Sequence, residues 1–410
     1  LNFSASFCAE KEEALRLAAE WQGRGVQLLT KAGLWWEELW EAAFTVGNSH
    51  FSGNAPVLES SRPELLKLYY MAVLTEITCR RIYPEAALKT SYLTLWPRRG
   101  EGSTYLTWEM PYISGLLSKL DPDGLEELWN LTAQAPFLDS QVANLFEGSF
   151  GGWICGGHPQ TILTGALNLQ RWAGNVNWKK SVIIRQKKKV EGFEAASQNQ
   201  ILHEEAGTHN NARTMTGWEV FEESLYYHRS QKVPQSSLAD VGNRDAYLEC
   251  VTDYAHGTAA LTAIQIWALK ESASLTGKSY DEEIQRLLKE VLALYREGKG
   301  YFSCRFPDGR VFDAPNLYDI GVVLSTIGDE LPAAMVTEIA EFVRNNLITK
   351  TWCHNLWPLS LDVVSGLRCD HQWAGSFSAW PAQFVLGLAK SGYEAPWVEE
   401  WLQGMSAVTA

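Results

Sequence analysis

Four stretches of this 410-residue chain concentrate side chains that could move protons or hold a polar ligand. In Gly102–Tyr112, Trp108 and Glu109 stand just ahead of Pro111 and Tyr112. A carboxylate there either caps the positive start of a helix or reaches into a site. In Phe150–Pro159, four glycines surround Trp153 and are followed by His158. Glycine lets a backbone come close to a ligand. The third stretch, Ser236–Gly257, carries Asp240, Arg244, Asp245, Glu249, Asp253, Tyr254 and His256. On a continuous helix Asp245, Glu249 and Asp253 would share one face, although a polar cluster at a helix start reads the same way. The fourth, Asp370–Pro381, sets Asp370 and His371 beside Trp373 and Trp380.

Carboxylates, histidines and aromatics in loops point to acid–base chemistry on a polar ligand with an apolar face. There is no Gly-x-Ser-x-Gly elbow and no Cys–His signature, so a nucleophile triad is not indicated. The glycines at 151–157 form neither a dinucleotide fingerprint nor a Walker loop, and no cofactor is called for. His203, Glu204, Glu205 and His209 cluster without metal-ligand spacing, so no metal site is expected. Seven cysteines are spread singly and read as small buried residues. The eighteen tryptophans are the compositional outlier, serving either as core or as platforms for sugar rings.

The elements that must position these loops are helices. Apolar residues recur at three- and four-residue spacing over 9–44, where Leu15, Leu17, Ala18, Trp21, Leu34, Trp35, Leu39 and Ala42 carry the pattern. Helices are also expected at 62–82, after Asp121-Pro122-Asp123-Gly124, and at about 159–173, 213–229, 251–276, 280–297, 315–326, 331–348, 376–391 and 395–404. Strand-like alternation is confined to Ser181–Ile184 and to a small hairpin around Asp308-Gly309. Helices arriving in pairs predict an all-α fold, an (α/α)6 toroid or six-hairpin barrel with a few short strands in its loops. One domain is expected over 1–410, with an irregular insertion at about 174–212. In such a toroid the loops at one mouth carry the site.

With those loops in hand, the chain resembles the six-hairpin glycosidase superfamily, nearest to glycoside hydrolase family 63, trehalases and glycogen-debranching-like proteins. Thr107–Tyr112 resembles their Trp-Asp loop, and Ser236–Asp240 resembles their Ser-Gly-x-Asp-Asp loop. Tyr247–Val251 resembles a Leu-Leu-Glu-Cys run, and Asp370–Pro381 resembles their Asp-His…Gly-Trp-Pro segment. Glu109 stands where Asp is usual, Ser237 where glycine is usual, and Ala239 where the acidic pair has its general acid. The resemblance implies an inverting glycoside hydrolase, whose two carboxyls stand about 6.5–9.5 Å apart. Asp240 would then be the acid, and Asp370 or else Glu249 the base. Trp108, Glu109, Tyr112, Trp153, His158, His256, His371, Trp373 and Trp380 would hold the sugar. A non-catalytic carbohydrate-binding or scaffold protein of the same fold stays open, as does a polysaccharide lyase using Tyr254, His256 and Arg244. A sugar isomerase or epimerase using His256 and His371 is a further alternative.

The expected partner is a carbohydrate. A net charge of −13 repels phosphate backbones and argues against nucleic acid, although Lys179, Lys180 and Lys187–Lys189 form one basic run. No apolar run is long enough for a membrane span. A soluble chain is expected, either cytoplasmic or secreted after loss of a leader, and its oligomeric state is not readable.

Overall fold

The structure, a computed structural model, describes residues 10–58, 60, 62–92, 104–107, 110–135, 142–144, 149–151, 158–173, 177–185, 213–240, 257–313, 315, 317–345 and 380–393. It is all-α, a toroid of the (α/α)6 type, and twelve α-helices fall among the described residues. In chain order they are α1 (Lys11–Gly23), α2 (Gly25–Ala43), α3 (Pro63–Cys79), α4 (Met110–Leu120), α5 (Pro122–Gln134) and α6 (His158–Asn168). There follow α7 (Gly217–Ser230), α8 (Ala259–Thr276), α9 (Asp281–Ala293), α10 (Leu317–Ile327), α11 (Ala333–Val343) and α12 (Trp380–Lys390).

Local chemistry sets several boundaries away from the expected ones. The helix expected from 213 begins at Gly217, because Thr216 and Glu219 form a capping box in which the Thr216 hydroxyl accepts from the Glu219 N–H. Residues 213–216 pair instead with 182–185. The α8 helix starts at Ala259, where the Thr258 hydroxyl accepts from the Leu261 N–H, and it stops at Gly277, whose φ of 71° suits glycine. The helical pattern read over 9–44 is interrupted at Arg24, between Gly23 and Gly25.

Burial separates an inner from an outer layer. Every residue of α4 and of α6 is buried, and α8 is buried through its first eleven residues. A helix apolar or small on all sides has to be enclosed. Among the described residues five inner helices close a ring: α4 packs on α6, α6 on α8, α8 on α10, α10 on α12, and α12 returns to α4. Outside it, α5 bridges α4 and α6, α7 bridges α6 and α8, α9 covers α8, and α3 covers α12. Amphipathic α5 turns Leu125, Leu128 and Trp129 inward.

The inner helices run the same way. At their N-terminal ends the Thr161 hydroxyl of α6 donates to the Thr107 carbonyl, just before α4, at 2.6 Å. At the other end Lys119 of α4 donates to the Trp172 carbonyl beyond α6 at 3.1 Å. Lys390 of α12 donates to the Thr326 carbonyl of α10 at 2.6 Å, and Lys270 of α8 pairs with Glu330 just past α10. Lysines at the carbonyl ends of helices oppose the negative pole of each. All five N-termini therefore open on one mouth.

The strands are short hairpins. Residues 304–305 pair with 311–312 around Gly309, while 301–302 pair back onto 295–296, so the expected hairpin is two. Part of the expected insertion is core: Trp178 is fully buried among Trp129, Trp218 and Phe221.

Candidate active site

Each of the four chemically rich stretches ends where an inner helix begins, at Met110, His158, Ala259 and Trp380. Asp240 is the acidic candidate whose surroundings the structure describes. After α7 the chain folds back on itself: the Val233 N–H donates to the Leu238 carbonyl at 3.0 Å, and the Asp240 N–H to the Gln231 carbonyl at 3.1 Å. Gln235 takes a φ of 60° to close this turn. The Ala239 N–H donates to the Thr262 hydroxyl in the first turn of α8 at 3.0 Å, and Ser236 donates to Glu290 on α9 at 3.1 Å. The loop is thus fixed to two helices, with Asp240 buried at the ring's mouth.

Tyr227, near the end of α7, is the neighbour that feels this carboxylate. Its phenol is pushed up to about 12, first by burial and then by the negative charge of Asp240. Ala239 itself is fully buried.

At the start of α6, His158 is fully buried, with Nε2 3.2 Å from the Thr132 carbonyl at the end of α5. His228 does the same between α7 and α8, 3.0 Å from the Leu261 carbonyl, and burial lowers its pKa. Both histidines tie an outer helix to the next inner one. Tyr112 is buried in the apolar core.

Two residues beyond His158 stands a residue that sequence reasoning passed over. Gln160 is 1% exposed, and among the described residues neither the oxygen nor the nitrogen of its amide has a hydrogen-bond partner. Leaving one buried polar atom unpaired costs on the order of 1–3 kcal/mol. An uncharged amide inside a helical pattern gives no signal in sequence; only burial without a partner marks it.

Asp240, Tyr112 and His158 are the predicted site residues whose side chains are described. Trp380 is placed as the first residue of α12. Trp108, Glu109, Trp153, Glu249, His256, Asp370, His371 and Trp373 lie outside the described residues. Described tryptophans have other uses: Trp129 and Trp178 are core, Trp172 and Trp267 flank Arg171, and Trp21, Trp35 and Trp36 stand exposed on α1 and α2. Among the described residues no group of His, Cys, Asp or Glu is arranged to hold a metal ion, and no helix is long and apolar enough to cross a membrane.

No family model and no curated protein matches this sequence. Among solved structures, the chain is similar to cellobiose 2-epimerase from Spirochaeta thermophila at 12% identity and a TM-score of 0.43, over 81% of this chain and 98% of that one. It is also similar to a rhamnosidase from Klebsiella oxytoca with rhamnose bound, at 12% identity and a TM-score of 0.45, over 83% of this chain and 66% of that one. A rhamnosidase of a Bacillus matches at 13% identity and a TM-score of 0.31, over 74% of this chain and 36% of that one. None of these three is a trehalase or a family 63 glycosidase.

Proposed function

We propose that this chain is a carbohydrate-active enzyme, a glycoside hydrolase whose site is the mouth formed by the N-termini of its inner helices. The observation that carries this reading is Asp240, a buried carboxylate fixed at that mouth by Thr262 and Gln231 and standing beside Tyr227. In an inverting mechanism Asp240 gives its proton to the glycosidic oxygen. A second carboxylate, Asp370 or Glu249, draws a proton from water on the opposite face of the sugar. Gln160 adds a buried amide donor and acceptor of the kind that fixes a sugar hydroxyl.

The burial of Ala239 favours one second reading, a protein that binds sugar without cleaving it, because the usual acidic pair is reduced to Asp240. The two separate in one experiment. The full chain is incubated with a glycan panel while reducing-end release and binding are measured, alongside Asp240→Asn. Hydrolysis abolished in the variant with binding retained supports the assignment. Turnover surviving Asp240→Asn removes Asp240 as the acid, and binding without release from any glycan establishes the non-catalytic reading. A product isomeric with its substrate would make the chain an isomerase or epimerase.

A further inference from the structure

The outer helix α9 supplies no residue to the ring, yet it grips the segment that carries Asp240. Its apolar stripe, Ile284, Leu287 and Val291, is buried against the rest of the fold. Glu283 and Glu290 border that stripe, and a spacing of seven puts them on one side of the helix, two turns apart. Glu283 accepts from the Arg229 guanidinium at the end of α7, at 2.5 and 3.1 Å. Glu290 accepts from the Ser236 hydroxyl at 3.1 Å through one oxygen and from the Ser237 N–H at 3.4 Å through the other. Every backbone N–H from Ser236 to Asp240 is bonded: Ser236 to the Val233 carbonyl, Ser237 to Glu290, Leu238 to the Ser236 hydroxyl oxygen, Ala239 to Thr262 and Asp240 to the Gln231 carbonyl. Glu290 meets one of these five donors directly and a second through the hydroxyl it orients. The same turn holds Gln235 in a left-handed conformation, which a residue other than glycine keeps only where its surroundings fix it.

We infer that Glu290 is the positioning residue of Asp240, setting from the outer layer where that carboxyl stands at the mouth. The inference rests on the reading of Asp240 as the acid. A carboxylate suits the task, because its two oxygens take two donors one residue apart and charge-assisted hydrogen bonds are roughly twice as strong as neutral ones. Among the described residues Glu290 makes no ion pair, so its hydrogen-bond partners belong to the Asp240 segment alone. Glu283 is instead taken up by Arg229, and it anchors the start of the same segment. Thr262 holds the segment from the inner layer and Glu290 from the outer, so the carboxyl of Asp240 is placed from both sides. A general acid has to come within hydrogen-bond reach of the oxygen it protonates, and a shift of about 1 Å can lower the rate on the order of a hundredfold.

Amide hydrogen exchange on the full chain tests the placement without any substrate. Glu290→Ala is expected to speed exchange across residues 236–240 at least about tenfold, while α8 keeps its protection. Glu290→Gln keeps an acceptor for the Ser237 N–H and restores most of that protection. Ser236→Ala removes the same contact from the other side, so it gives a similar loss and adds little to Glu290→Ala in the double variant. On a glycan that the chain cleaves, Glu290→Ala should lower kcat about ten- to a hundredfold with KM moved less than about threefold, and Glu290→Gln should recover most of it. Exchange unchanged by Glu290→Ala overturns the proposal. So does exchange that rises equally throughout α8 and α9, or a kcat loss that Glu290→Gln does not relieve. Failure of the hydrolase reading shows separately, as turnover surviving Asp240→Asn, and the exchange result then decides by itself whether Glu290 holds the segment.

Discussion

The side-chain amide of Gln383, in the last inner helix, donates to the carbonyl of Pro111, in the first, at 2.8 Å. The same nitrogen lies 2.9 Å from the Ser325 hydroxyl of α10, so one buried side chain holds three inner helices at the point where the ring closes. Gln383→Leu keeps the volume and removes the donor, leaving a buried carbonyl unpaired. A loss of about 1–3 kcal/mol is expected by chemical denaturation. An unchanged midpoint would show that the ring closes by apolar packing alone.

Asp121 does comparable work on the outside of the ring. It accepts from the Ser52 hydroxyl at 2.8 Å and from the Tyr92 hydroxyl at 2.6 Å, and it pairs with the Arg80 guanidinium at 3.3 Å. Removing one partner of a buried ion pair strands the other charge. Asp121→Ala is therefore expected to cost about 3–5 kcal/mol, and Asp121→Asn clearly less, because it keeps the hydrogen-bonding shape. Equal losses in the two variants would mean that the charge contributes nothing.

The end of the ring opposite the mouth makes stability depend on pH. Burial lowers the Lys119 ammonium from its ordinary range to about 7, and burial together with Arg171 lowers Lys390 to about 8. The folded chain therefore sheds these protons at a lower pH than the unfolded chain. Between about pH 7 and pH 10 the unfolded state binds more protons, so stability rises with pH across that window. Below it both states carry the proton and the contribution is flat. For one such group the slope is at most about 1.4 kcal/mol per pH unit. Lys119→Met should gain less in Tm between pH 7 and 9 than the parent chain does; identical slopes would place the proton elsewhere.

Much of this architecture is legible in sequence, for a physical reason. Outer helices betray themselves by period and enclosed ones by apolar or small residues on every side, and the stretches carrying Trp108, Trp153, Asp240 and Asp370 each precede an inner helix in the chain. Boundaries were less legible, because a hydroxyl such as that of Thr216 or Thr258 decides the first turn. Trp178 stands beside Lys179 and Lys180 in a polar stretch, yet it is core. Its packing depends on Trp129 and Phe221, and a local reading does not bring them together.

Gln160 gives the most direct test of the mouth as a ligand site. A structural residue made apolar loses its bonds and destabilises the fold, but among the described residues Gln160 has no side-chain bond to lose. Gln160→Leu should therefore leave stability unchanged or raise it by about 1 kcal/mol, as the desolvation cost of the amide disappears. If that amide instead finds its partners in a sugar hydroxyl, the same variant should lose ligand affinity, or kcat/KM on any glycan the chain turns over, by at least about tenfold, equivalent to one charge-free hydrogen bond. Stability up with binding down is a signature that a packing role cannot produce. Stability down, or affinity unmoved, would return Gln160 to the scaffold and leave Asp240 as the mouth's one described functional side chain.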